Sequence, residues 1–451
     1  MHADDHHDRP WPSPTAAGPV RARVRLPASK SITNRALVLA ALSDGPAVIV
    51  NPLQARDTAL AAGALRAMGT AISEDQSGTA WRITAGSPAA GSGVSVDVGN
   101  AGTVMRFLPA VAALTAASVH FDGDARARER PVGPILAALR HLGADIDDGG
   151  RGAVPFTVHG HGVVRGGPVT LDASGSSQLV SGLLLAAPRF AEGVEIRHDG
   201  PAVPSAPHIA MTVRMLREAG ADVTVAGAGG SGASGGSGLR PDAWRVRPGR
   251  LELGTITVEP DLSNAGPFLA AALVTAGTVT IADWPRDSLQ AAGEILDVLT
   301  AMGARCEIDA DGLTITGTGR IGGIRADLRD VNELAPVLTA VAALADSPSA
   351  FTGLAHTRAH ETDRLAALAK EINALGGDIT EQPDGLLIRP RPLRAPATGE
   401  PFGSYHDHRM VMAAAVLGLV VPGVRVANAQ TVAKTFPGFT DVWAGLLGAG
   451  P

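Results

Sequence analysis

The chain has 451 residues, 45% of them apolar, a net charge of −6 and one cysteine, Cys306. That length accommodates two or three domains with a sizeable core, while the cysteine count excludes a disulfide framework and a structural zinc site. No apolar run is long enough to span a bilayer and the basic residues form no run, so a cytoplasmic protein without nucleic-acid or membrane partners is expected.

The first residues, among them His2, Asp4, Asp5, His6, His7 and Asp8, lack the basic and apolar regions of a signal peptide. Residues 1–17 read as a disordered tail whose histidines could bind metal but are better explained as solvated. One segment then recurs: a polar turn leading into an apolar helix of small residues. It begins at Ser29, Gly99, Ser174, Asp261, Asp330 and His406, roughly every seventy residues. A second element keeps the same beat, a helix ending in glycine before a short strand. Its copies end at Gly69, Gly143, Gly220, Gly303 and Gly376, with a degenerate sixth at Gly448. Alternating runs such as Val223–Val225 and Cys306–Ile308 read as the strands that follow.

Each unit is thus two helices with three or four strands. The one long interval carries a Gly/Ser segment at 227–238, flexible by composition. Six units divide as three plus three, giving an α/β protein of two similar lobes. A solenoid is the competing arrangement, but capping repeats with a polar outer face are missing.

The turns look chemical. Helix N-termini expose unpaired amides and the positive end of the dipole, so anions bind there. Capping alone accounts for Ser174, Asn264 and Asp261. It does not account for Lys30, Arg35, Arg106, Gln178, Glu333 and Arg409 at the same ends, because a cation there is unfavourable unless a negative ligand offsets it. Only three lysines occur, Lys30, Lys370 and Lys434. Lys370 falls in an amphipathic helical pattern and reads as a surface residue. Three further segments set an acid and a base beside a helix start: Glu129-Arg130, His360 to Arg364, and the stretch around Lys434. Together they supply the donors that phosphate and carboxylate groups call for. Glycine-rich phosphate loops and metal-ligand spacings are absent; His406 and His408 read as part of a helix start.

Six motifs now stand together: Ser-Lys-Ser-x-Thr-Asn-Arg at 29–35, Gly-Asn-Ala-Gly-Thr-x-x-Arg at 99–106, Ser-Ser-Gln at 176–178, Glu-Thr-Asp-Arg at 361–364, Asp-His-Arg at 407–409 and Lys-Thr-Phe-Pro at 434–437. In them the chain resembles the 5-enolpyruvylshikimate-3-phosphate synthase family from about residue 22 to about 445. The resemblance implies two lobes of three βαβαββ units each, an inside-out α/β barrel, closing over substrates at the helix N-termini. It implies that residues 18–28 with 259–451 form one lobe and 29–258 the other.

It further implies transfer of the enolpyruvyl group of phosphoenolpyruvate to the 5-hydroxyl of shikimate 3-phosphate, with release of phosphate, in a monomer that needs no metal or organic cofactor. Lys30, Ser31, Arg35, Ser176, Ser177, Gln178, Ser205, Glu333 and His360 would hold shikimate 3-phosphate. Lys30, Gly102, Arg130, Gln178, Arg364, Arg409 and Lys434 would hold phosphoenolpyruvate. Lys30, Glu333 and Glu361 would be catalytic: Glu361, helped by Lys30, protonates the methylene carbon, and Glu333 takes the proton of the attacking hydroxyl. His208 and His360 depart from the family, where Tyr and Lys are common. Gly102 implies sensitivity to glyphosate at the phosphoenolpyruvate site, with Phe107 standing where sensitive members often carry Pro. Two rivals are the enolpyruvyl transferase acting on UDP-N-acetylglucosamine, which uses a loop cysteine where Cys306 reads as a strand residue, and a silent phosphosugar-binding repeat protein.

Overall fold

The computed structural model describes residues 9–227 and 241–448. The histidines at 2–7, and 228–238 of the Gly/Ser segment, lie outside them. Two compact units emerge, one running from Ala28 to Glu259, the other combining the chain up to Pro27 with the chain from Pro260.

The 28–259 unit holds three four-stranded sheets. Their strand orders are Thr255–Thr257, Ala47–Val50, Ala80–Thr84, Ala71–Glu74; then Gly93–Asp97, Ser118–Asp122, Phe156–His159, Asp145–Asp147; then Gly167–Leu171, Val194–His198, Pro241–Val246, Val223–Gly227. In each, the first pair is parallel and the other two pairs are antiparallel. In the second and third sheets a helical crossover joins the parallel pair, and in all three the two last strands form a hairpin. The helices Lys30–Ala41, Gly102–Ala113 and Ser177–Ala186 pack on one another and are buried almost throughout. They are apolar on all sides because no side of them meets water. Arg56–Ala67, Gly133–His141 and Ala206–Glu218 bury only one face.

The other unit repeats the plan. One sheet runs Arg21–Val24, Thr278–Ala282, Gly312–Gly317, Ala304–Ile308, and another Arg325–Asp327, Ser349–Thr352, Gly385–Arg389, Asp378–Gln382. Gly266–Val274, Ala335–Ala343 and His408–Gly418 form its buried helical centre. Five of the six repeated helix-ending glycines have positive φ, from 90° at Gly220 to 107° at Gly303, while Gly448 is the last residue of the Phe439–Gly448 helix. That left-handed conformation is the one reason they recur.

Two expectations are corrected. The tail is not free as far as residue 17: Trp11–Pro12 pairs antiparallel with Arg425–Val426, which bridges Phe402 in parallel. Residues 11–12 therefore stand where the hairpin strand of a sixth sheet belongs. Ser13 and Ala16 donate backbone bonds to Val424 O and Leu419 O, and Thr15 Oγ1 donates to Gly418 O at 3.0 Å. Composition concealed this because the segment pairs through its backbone and buries little side chain beyond Trp11 and Ser13. Second, the motif at 29–35 is not a turn ahead of a helix. Ser29 caps, with Oγ accepting from Ile32 N, so the helix already begins at Lys30 and Arg35 lies in its second turn.

Deleting residues 1–16 removes these bonds, each worth about 1 kcal/mol net. We expect the calorimetric midpoint to fall by roughly 5–10 °C; an unchanged midpoint would show that the sixth sheet needs no third strand.

Candidate active site

In the 28–259 unit, three buried helix N-termini and the Arg130 segment supply the predicted groups. Arg130 is 5% exposed, and its Nη1 donates to Asn100 O at 2.7 Å and Oδ1 at 2.8 Å. Both acceptors are neutral, so no carboxylate offsets the guanidinium through those bonds. Arg106 Nη1 donates to Gln178 Oε1 at 3.0 Å and Nη2 to Pro131 O at 3.1 Å. Gly102 opens its helix between them. A Cβ there would lie 2.8 Å from Arg130 Nη2, 2.9 Å from Arg106 Nη1 and 3.0 Å from Gln178 Oε1. The missing side chain is what lets two guanidinium groups and an amide converge on a backbone N-terminus. The structure thus brings Gly102, Arg130 and Gln178 together. Lys30, the first residue of its helix, meets Asp57 Oδ2 at 3.4 Å, and Asp57 is 2% exposed.

A second group in this unit centres on Arg35, which is 1% exposed. Its Nε donates to Thr212 Oγ1, Nη1 to Ser31 O, and Nη2 to Ser181 Oγ and His208 O. Phe107 lies beneath it, the guanidinium carbon 5.2 Å from the ring centroid. Ser205 precedes its helix in the left-handed region, φ 52°, which for a serine costs on the order of 1–3 kcal/mol. Ser176 caps the Ser177–Ala186 helix by accepting from Gln178 N at 3.2 Å, and Ser177 is buried.

The unit from Pro260 onward is built on charge pairs. Arg364 opens its helix with Nε 2.8 Å from Asp407 Oδ2 and Nη2 3.3 Å from Asp407 Oδ1 and from Glu361 Oε2. Burial opposes its charge, but Asp407 and Glu361 hold its pKa above the ordinary arginine value. Asp407 also caps the His408–Gly418 helix through Arg409 N. Lys434 Nζ lies 2.8 Å from Glu361 Oε1. Its place is set by Phe436, whose ring packs with those of Phe268 and Phe439 at centroid distances of 5.7 and 5.6 Å, and by Asn264, which donates to Thr435 O. Arg409 binds Ser263 O at 2.7 Å and Oγ at 2.6 Å, and its Nη2 lies 3.7 Å from Glu333 Oε2. Glu333, Glu361, Arg364, Arg409 and Lys434 are therefore neighbours. His360 places its ring 5.5 Å from that of His356 at 74°.

Sequence reasoning passed over Asp57, His356 and the use made of Asp407. Asp57 begins a second helix, the position at which the other units carry charged residues, so the repeat itself was the available signal. His356 had none. Lys370 is exposed as expected, yet its Nζ also sits 5.5 Å from the centroid of the Tyr405 ring. Among the described residues, no group of three or more His, Cys, Asp or Glu side chains could hold a metal ion, and no helix is long and apolar enough to cross a membrane.

Repeated βαβαββ units whose buried helices deliver arginine, lysine and carboxylate groups at their N-termini define an α/β transferase for small anionic substrates. The chain belongs to the EPSP synthase (3-phosphoshikimate 1-carboxyvinyltransferase) family, whose profile matches residues 14–443. It is 48% identical over 449 residues to a 3-phosphoshikimate 1-carboxyvinyltransferase of Kocuria rhizophila, covering 97% of each chain. It resembles the solved EPSP synthase of Acinetobacter baumannii with a TM-score of 0.74 at 25% identity, covering 96% of each chain. The enolpyruvyl transferase NikO of Streptomyces tendae shares the fold, with a TM-score of 0.71 at 17% identity over 97% of this chain and 98% of that one.

His356 yields a test. Burial, then the charge of Arg364, lowers its pKa from 6.5 to about 4. The unfolded chain therefore takes up this proton first, and the stability that a neutral ring contributes is whole above pH 6.5 and lost as pH falls towards 4. His356→Gln should remove roughly 2–3 kcal/mol of the parent's loss across that window in denaturant titrations. Parallel losses in parent and variant would refute a neutral buried ring.

Proposed function

We propose that these residues carry out, on this chain, the reaction of its family. The chain transfers the enolpyruvyl group of phosphoenolpyruvate to the 5-hydroxyl of shikimate 3-phosphate and releases phosphate, a step of the shikimate pathway towards aromatic amino acids. The observation that supports the assignment most strongly is the convergence at Gly102. An N-terminal dipole and two guanidinium groups meet where a side chain is missing, which suits a compact anion carrying both phosphate and carboxylate.

To phosphoenolpyruvate we assign Lys30, Gly102, Arg130 and Gln178 of the 28–259 unit and Arg364, Arg409 and Lys434 of the other. To shikimate 3-phosphate we assign Lys30, Ser31, Arg35, Ser176, Ser177, Gln178, Ser205, Glu333 and His360. The Arg35 guanidinium is engaged by its own surroundings, so we assign it to fixing Ser31 as well as to adding positive charge.

The chemistry follows from the carboxylates. Glu333 accepts the proton of the 5-hydroxyl as its oxygen bonds to the enol carbon, and Glu361, with Lys30, gives a proton to the methylene end. The tetrahedral adduct then loses phosphate, and the methyl group gives a proton back as the double bond re-forms. Lysine and arginine groups stabilise the charge that develops on the departing phosphate. Glu361 is held between Lys434 and Arg364, so an arriving anion that draws those cations away lets its carboxyl hold the proton it must deliver. The reaction calls for no metal or organic cofactor. We place it in the cytoplasm and read it as a monomer.

A phosphate-release assay with both substrates tests the activity. Glu333→Gln keeps size and polarity but removes the base, so turnover should fall about 10²- to 10⁴-fold while shikimate 3-phosphate still binds by calorimetry. Near-normal turnover would move the base to another carboxylate. Lys30→Met should be similarly damaging.

Gly102→Ala separates inhibitor from substrate. The parent should be inhibited by glyphosate in competition with phosphoenolpyruvate. A methyl at 102 presses on side-chain ends no more than 3.0 Å away, and the longer ligand has less room to adjust. The inhibition constant should therefore rise at least several-fold more than the Michaelis constant. Equal changes in the two constants would show that glyphosate does not use the space beside Gly102.

A further inference from the structure

Two successive residues ahead of Asp407 are left-handed without being glycine: Tyr405 at φ 52° and His406 at φ 56°. Each such residue costs on the order of 1–3 kcal/mol and persists only where its surroundings over-determine it. The surroundings here are specific. Tyr405, the chain's one tyrosine, donates its hydroxyl to Glu371 Oε1 at 2.5 Å. The other oxygen of Glu371 accepts from Gly403 N at 2.8 Å, and Glu371 is 8% exposed. A Cβ on Gly403 would fall 2.9 Å from the Tyr405 ring and 3.1 Å from Glu371 Oε1, so the backbone there sits directly against both groups.

Glu371 lies on the Arg364–Ala374 helix, two turns beyond Arg364 on the same face, about 10 Å along the axis. Arg364 grips Asp407 from that helix. Helix and loop are therefore tied at two points. One ion pair alone would allow the loop to pivot about Asp407, whereas a second attachment fixes its direction. The loop in turn leads into the helix of one cation and is bonded to the segment ahead of another. Arg409 follows in the helix that Asp407 caps. His406 Nδ1 lies 2.8 Å from Asn428 Nδ2, and Asn428 precedes the Ala429–Lys434 turn that ends in Lys434.

We propose that Glu371, acting through the Tyr405 hydroxyl and Gly403 N, is a positioning residue that holds the strained 405–406 turn so that Arg409 and Lys434 are set for the phosphoenolpyruvate anion. This rests on the assignment of those two cations to phosphoenolpyruvate. Neither Glu371 nor Tyr405 touches substrate; both act through the loop.

The test is Tyr405→Phe, which removes one hydroxyl and keeps the ring. The KM for phosphoenolpyruvate should rise about five- to thirty-fold, less than the full loss of a hydrogen bond to a charged group because the clamp acts only through the loop. The KM for shikimate 3-phosphate should stay within about two-fold. Glu371→Gln, which can still bond Gly403 N and Tyr405, should recover most of the affinity that Glu371→Ala loses. A lower melting midpoint with both KM values unchanged, or an equal rise in both, would overturn the proposal. Amide exchange across 403–411 reads the clamp with no substrate present. Faster exchange in Tyr405→Phe is expected, and unchanged exchange overturns the clamp whatever the substrates prove to be.

Discussion

Arg364 keeps its charge with 4% of its side chain exposed, and Asp407, with none exposed, is what makes that tolerable. Removing such charges from water costs several kcal/mol each unless partner and hydrogen bonds compensate. Much of the 260–451 unit is arranged around meeting that cost. Asp407 spends its oxygens on Arg364 and on the N-terminus of the next helix, so one carboxylate fixes both the cation and the element beside it. Phe436, wedged against Phe268 and Phe439, does the same for Lys434 by apolar means. The aromatic cluster thus serves electrostatics: it leaves the preceding lysine no freedom to turn outward.

The cations in this unit come already paired. Lys434 holds Glu361, Arg364 holds Asp407 and Glu361, and Arg409 stands near Glu333. Lys30 holds Asp57 in the other unit. On the proposed assignment a substrate anion therefore competes with internal carboxylates and does not fill an unbalanced positive field. Two of those carboxylates, Glu333 and Glu361, are the ones assigned to proton transfer, so displacement by the anion and adjustment of the acid are one event. Arg130 differs, meeting the neutral oxygens of Asn100, and its field remains available to a ligand from the start.

The fold was legible because repetition amplifies weak signals. A single glycine after a helix says little; five at the same interval, all found with positive φ, define the unit. Helix faces were legible for the same reason, since runs such as Leu179–Ala187 are apolar on every side and can lie only inside sheets. What escaped was pairing that leaves no pattern in composition. Trp11–Pro12 completes a sheet through backbone atoms, and nothing in the identity of those residues announces a partner four hundred positions away. The site divides likewise. Lys30, Gly102, Gln178, Arg364, Arg409 and Lys434 stand out because cations and a bare glycine at helix N-termini conflict with local preference. Asp57, Glu371 and Tyr405 do not conflict with anything local. An acid near a helix start or on a helix face is ordinary, and only tertiary contacts reveal what it holds.

The split of one unit across the sequence carries a consequence for the order of events during synthesis. Arg21–Val24 lies parallel to Thr278–Ala282, and the intervening residues 28–259 form a unit of their own. At ordinary translation rates the early strand leaves the ribosome roughly ten to fifty seconds before its neighbour exists. Through that interval it is an unpaired edge, the kind of segment that recruits other chains. Its sequence, Arg-Ala-Arg-Val, places a guanidinium on every second residue and repels a second copy of itself. The two exposed arginines thereby disfavour pairing of that strand with a second copy until residue 278 arrives.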